Sequence, residues 1–186
     1  MQRLTEFHPG SIYLLTGPRA YTGWQMHRWI VEAALAGRVV VLIGGNRYLL
    51  YDVNYAVAAA SDDYEYILDR HILLSRADTC YQMTALLKET GPGPDPVLVL
   101  DLLATFYDEG VPEKEIDRLL FECVLGLRRL SRTAPVIVSA AEKPARPRLL
   151  QVLAGQAAAV LYPPPDPSAD AAHQFQFLRP PENRAG

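Results

Sequence analysis

The chain has 186 residues, of which 49% are hydrophobic and 21% charged, with a formal net charge of -3. That length is one domain with room for a sizeable core, and the composition is that of an ordinary globular protein. The mild negative charge excludes a global attraction to nucleic acid, so any such binding needs a local basic patch.

The chain divides into a polar lead-in at 1–11, a single domain at 12–179 and a flexible tail at 180–186. The start, MQRLTEFHPG, carries no apolar signal region, and no apolar run reaches the roughly 20 residues of a membrane span. Ile12–Thr16 is the first expected strand, followed by a glycine-containing loop and a helix over Trp24–Leu35. On that helix Met26, Ile30, Ala33 and Ala34 share one face, and Gly37 supplies the stop. Val39–Ile43 is a β-branched run, the mark of a strand buried on both faces. Gly44, Gly45 and Asn46 end it, and a helix follows over about Leu50–Ala60. His71–Ser75 is a short strand. Thr79 to Gln82 then reads as a capping box before a helix carrying Met83, Leu86 and Leu87.

Gly91–Pro96 breaks the chain as a turn. Val97–Asp101, VLVLD, is the clearest central strand and ends in a carboxylate. Pro112 opens the strongest helix, with Ile116, Leu119, Leu120, Cys123, Val124, Leu127 and Leu130 on its apolar stripe. Val136–Ser139 is the next strand, and Glu142–Arg148 a basic segment broken by Pro144 and Pro147. Ala157–Tyr162 and Phe175–Arg179 read as two late strands, an antiparallel hairpin at the sheet edge. Strands alternating with helices predict an α/β fold with a mostly parallel central sheet flanked by helices. Ligands in such folds sit beyond the strands' C-terminal ends, where Thr16–Gly23, Gly44–Arg47, Asp101 and Ser139–Ala141 should converge.

A strand, a tight glycine loop and a helix aim loop amides and a helix N-terminus at an anion. The full phosphate motif is G-x-x-x-x-G-K-[ST]. Counting from Gly17 puts Thr22, Gly23 and Trp24 at the second Gly, the Lys and the Ser/Thr. Counting back from Gly23 puts Pro18 at the first glycine and Trp24 and Gln25 at the last two positions. In neither register are the lysine and the hydroxyl present.

The order of elements resembles the ATPase core of the RecA/RadA recombinase superfamily over about residues 10–180. Three segments carry the resemblance: IYLLTG with its helix, HILLSRADTCYQMTALLKE, and PVLVLDLLATFYDE with the helix and PVIVSA after it. The resemblance implies a RecA-like, P-loop-type sandwich. It also marks Gly17, Pro18, Arg19, Ala20, Tyr21, Thr22, Gly23 and Asp101 as the equivalent of a nucleotide site. The departures are extensive. The lysine and hydroxyl are missing, the acidic residue after the second strand is replaced by Gly44-Gly45-Asn46-Arg47, and Ala140 and Ala141 follow Ser139 where a polar sensor stands in the family. Only Asp101 remains of the acidic set, so the expectation is a degenerate site with no catalytic residue and no cofactor, ATP and magnesium being disfavoured.

Each candidate has a plainer alternative. Arg19 or Arg28 in the lysine's place is set against a strand–helix turn whose glycines only serve the backbone. A magnesium-associated Asp101 is set against a strand-end Asp that bonds loop amides. Lys143, Arg146 and Arg148 match the position of a recombinase DNA-binding loop, against a solvated basic loop. Trp24, Trp29, Tyr21, Tyr48 and Tyr51 are either a partner surface or ordinary packing. The histidines lack ligand spacing and the two cysteines lack C-x-x-C spacing, so no metal site is expected, and the compartment reads as reduced and cytoplasmic. The leading expectation is a non-catalytic, recombinase-paralogue-like accessory subunit. Its partner would be a RecA-fold ATPase or a second copy, with DNA repair or recombination as the setting and no membrane association. An atypical slow ATPase using Arg19 and a DNA-binding module without nucleotide are the alternatives.

Overall fold

The computed structural model of the chain describes residues 3–45, 50–108, 110–141, 143 and 146–163. In order these form β1 (Ile12–Leu15), α1 (Arg19–Ala36), β2 (Val39–Gly44), α2 (Tyr51–Ala60), α3 (Tyr64–Arg70) and β3 (Ile72–Ala77). There follow α4 (Cys80–Glu89), β4 (Val97–Leu100), α5 (Glu113–Ser131), β5 (Val136–Ser139), α6 (Pro147–Ala154) and β6 (Ala159–Leu161). Short 3-10 segments at Leu4–Glu6 and Leu102–Tyr107 precede β1 and follow β4.

The six strands make one sheet in the order β3-β2-β4-β5-β1-β6, and all five neighbouring pairs are parallel. A parallel sheet needs cover on both faces, which is why β2, β4 and β5 are runs of Val, Ile and Leu rather than alternating patterns. On one face α1, α2 and α3 pack around Met26, Trp29, Ile30, Val53, Val57 and Ile67. On the other, α4, α5 and α6 enclose Met83, Leu87, Phe106, Leu120, Leu127 and Leu149. The protein is therefore α/β, an all-parallel sheet between two helical layers, consistent with a RecA-like sandwich.

Several local expectations are met in detail. Thr79 Oγ1 accepts from the Gln82 amide at 3.2 Å while Gln82 Oε1 accepts from the Thr79 amide at 3.3 Å, the reciprocal bonds of a capping box. All seven stripe positions of α5 are buried. Cys80 and Cys123 are buried and free, and burial pushes the Cys123 thiol up to about 12. No helix among the described residues is long and apolar enough to cross a membrane.

Other elements differ. The lead-in is not merely polar: Leu4 and Phe7 are buried, and the Phe7 ring meets Trp29 edge-on at 5.1 Å. Helix α3, unannounced in the sequence reading, fills the span before β3. Pro147 breaks the basic segment but also starts α6, because its missing amide costs nothing in a first turn. The first late strand is β6, which pairs in parallel with β1. The second, Phe175–Arg179, lies outside the described residues, as does the tail 180–186.

Candidate functional site

After β1 the chain leaves to one face of the sheet, and after β4 to the other, with β5 between them. That reversal opens a crevice at the strands' C-terminal rim, where ligands of open α/β sheets bind. Of the residues expected there, Arg19, Asp101 and Ser139 meet, while Asn46 and Arg47 lie outside the described residues. Leu15 and Ser139 are register partners, the Asp101 amide donates to Ser139 Oγ at 2.9 Å, and Arg19 Nη2 lies 4.0 Å from Asp101 Oδ2. Asp101 has left-handed backbone angles (φ 52, ψ 47), which Asp tolerates better than most residues. This twist turns the chain sharply into the 3-10 segment, and the Asp101 carbonyl then accepts from the Ala104 amide at 2.9 Å.

The connection between β1 and α1 is Thr16, Gly17 and Pro18 alone, since α1 starts at Arg19 rather than at the expected Trp24. Ala20, Tyr21, Thr22 and Gly23 are accordingly helical, with the Thr22 amide donating to the Pro18 carbonyl at 3.1 Å, and Thr22 and Gly23 are buried. Pro18 contributes no amide. Gly17 has φ 140, and a Cβ placed on it would lie 2.8 Å from the Pro163 ring, so the chain leaving β6 covers it closely. The only strong charge at the helix start is Arg19, which pairs with the one surviving carboxylate. These residues do not fit magnesium and a nucleoside triphosphate. The connection is too short for the motif's long phosphate loop and Pro18 gives it no amide, and the cation and the carboxylate that such a ligand needs face each other.

The basic segment is also committed internally. Arg146 is almost enclosed. Its Nη1 donates to the Phe106 carbonyl at 2.6 Å and the Asp108 carbonyl at 3.0 Å, and its Nε lies 2.8 Å from Glu113 Oε1. Arg148 pairs with Glu113 and, at 2.5 Å, with Asp117 Oδ1. Lys143 Nζ sits 4.8 Å from the Tyr107 ring centroid, while the Tyr107 hydroxyl donates to the Ala141 carbonyl at 2.8 Å. Sequence reasoning missed these carbonyl and carboxylate partners because they lie some 30 to 40 residues away along the chain, roughly a helix and a strand apart.

The aromatic set divides. Trp29 is core, Tyr51 is exposed, and Tyr48 lies outside the described residues. Trp24 lines a groove between α1 and α2 that begins at Arg19, with the Arg28 guanidinium 5.0 Å from its ring centroid. Nearby, burial lowers the His27 pKa below its ordinary 6.5, with Asp52, 4.0 Å away, partly opposing this. The unfolded chain therefore takes up the His27 proton at higher pH than the folded one, so stability present above 6.5 is lost as pH falls below that value. Urea denaturation at about pH 7 and about pH 5 should show this loss reduced in His27→Gln. An unchanged pH slope in the variant would remove the assignment.

Among the described residues, no group of three or more His, Cys, Asp and Glu side chains could hold a metal ion. No described protein family matches this sequence, and no curated protein does.

Proposed function

We propose that this chain is a non-catalytic RecA-fold protein that acts by binding, as an accessory subunit docked on a RecA-fold ATPase or on a second copy of itself. The observation that carries the reading is the Arg19–Asp101 pair beside a three-residue β1–α1 connection. Phosphoryl transfer rests on groups that position phosphates and neutralise their charge. Here the rim directs its charges at itself. The engagement of Arg146 and Arg148 with α5 and its preceding loop works against the DNA-binding alternative in the same way. DNA repair or recombination as the setting follows from the resemblance alone, because a fold does not fix a function. The cytoplasm is the proposed compartment, in keeping with two unpaired cysteines.

A thermal-shift titration of the full chain with ATP, ADP and magnesium tests the reading. The expected result is no shift at millimolar nucleotide. A ligand at a hundred times its dissociation constant, bound to the folded state only, adds about 2.7 kcal/mol, or a shift of about 5 °C or more. A magnesium-dependent shift of that size, abolished by Asp101→Asn, would overturn the proposal in favour of an atypical ATPase using Arg19.

A further inference from the structure

One groove on the described surface carries two arginines and two carboxylates in its lining. It runs between α1 and α2 and encloses about 750 Å³. Its apolar lining is Ala20, Gly23, Trp24, Val31 and Leu35 of α1, with Ala56 of α2. From Ala20 to Leu35 it follows one helix for about 22 Å, roughly four turns. Leu35 is 43% exposed at one end, and Tyr51 and Tyr55 of α2 are 65% and 60% exposed.

The charges in the groove are unevenly matched. Both oxygens of Glu32 accept from the Leu4 amide, at 3.1 and 3.2 Å, and Asp52 faces His27. Arg19 faces Asp101. Arg28 is different: it lies against Trp24, and its buried Nη1 has no hydrogen-bond acceptor among the described residues. Arg28 as a whole is only half-buried and no ion pair among the described residues holds it, so an occupant that brings a carboxylate to its accessible side gains a charge-assisted contact. Both walls are helices whose backbone donors and acceptors are used internally. An extended peptide would find no ladder to join, whereas a helix satisfies its own backbone and needs only side-chain contacts. A two-fold pairing of this groove with itself would set Arg28 against Arg28, which argues for a different chain.

We propose that the α1–α2 groove is the docking site for an amphipathic helix of a partner protein, seated by apolar side chains and by a carboxylate set against Arg28. This rests on the reading of the chain as a binding subunit and names its surface. The groove shares Arg19, Ala20 and Gly23 with the nucleotide rim, but its test turns on Val31 and Arg28, which lie outside that rim, so a failure here and a nucleotide-dependent thermal shift there are separate results.

The test uses a displayed library of amphipathic helices about four turns long, selected on the full chain and counter-selected on Val31→Glu. Recovered sequences should share an acidic residue among their apolar anchors. The leading peptide, measured by fluorescence anisotropy, should lose at least about tenfold in affinity when its acid becomes Lys, and also against Val31→Glu. The Lys peptide should regain binding to Arg28→Glu. Circular dichroism and melting establish that each variant is folded. If Arg28→Glu is not, Arg28→Gln should bind the acidic and lysine peptides equally. Three outcomes would each overturn the proposal: no groove-dependent helix, no preference for an acid, or sedimentation showing a self-association that Val31→Glu abolishes.

Discussion

Gly44→Ala is expected to cost roughly 3 kcal/mol of stability. A Cβ at Gly44 would lie 2.4 Å from the Asp101 carbonyl oxygen and 3.1 Å from its carbon. Both clashing atoms are backbone, so no rotamer change relieves them. The Asp101 carbonyl is fixed in turn by the left-handed turn at its own residue and by the bond from the Ala104 amide. Relief therefore means separating the ends of β2 and β4, which are hydrogen-bonded neighbours up to Ile43 and Leu100. Against a total stability of about 5–15 kcal/mol, that is a large loss, and it falls at the rim where Asp101 meets Arg19. Gly93→Ala is the matched control, because a Cβ there meets nothing within 4 Å. It should change stability by no more than about 0.5 kcal/mol. Urea denaturation of the two variants decides the point, and similar midpoints would refute the close-approach argument.

Arg146→Ala is expected to cost about 2–3 kcal/mol, a second large effect with a bearing on function. The side chain of Arg146 is 11% exposed and holds the carbonyls of Phe106 and Asp108, with Val111 more distant at 3.4 Å. Truncation leaves those acceptors without their donor and frees the loop between the 3-10 segment and α5 from α6. Arg148→Ala removes ion pairs near solvent, where exposed pairs contribute at most about 1 kcal/mol. The two arginines thus separate structure from DNA contact. A DNA-contacting Arg146 would instead leave the melting temperature unchanged on truncation and reduce the salt dependence of DNA binding. Denaturation curves and anisotropy with labelled single- and double-stranded DNA distinguish the two.

Much of the architecture is legible in the sequence because it is encoded over short distances. The β-branched runs Val39–Ile43 and Val97–Leu100 declare strands covered on both faces. Thr79 and Gln82 declare a helix start, and the spacing from Ile116 to Leu130 declares a helix with one buried face. The site was less legible. Gly23 reads as a loop glycine beside Gly17, yet Pro18 fixes the start of α1 one residue later and leaves Gly23 buried within the helix. Pro147 reads as a breaker and is a first-turn residue. Arg146 and Arg148 read as free basic groups, since nothing near them in the chain shows that Glu113 and Asp117 will face them.

The sequence by itself determined the class of the fold, the number and order of most of its strands, and the absence of a phosphate-binding lysine and hydroxyl. Each of these follows from residue type and local period. Only the tertiary structure decided that Arg19 meets Asp101, that Pro163 covers Gly17, that Gly44 must admit a carbonyl and that Trp24 lines a groove with Arg28. Those facts depend on which strands become neighbours in the sheet and on the side to which each connection departs. Side-chain pairing across a parallel sheet is set by that topology, because its partners are brought together by crossovers rather than by adjacency in the chain.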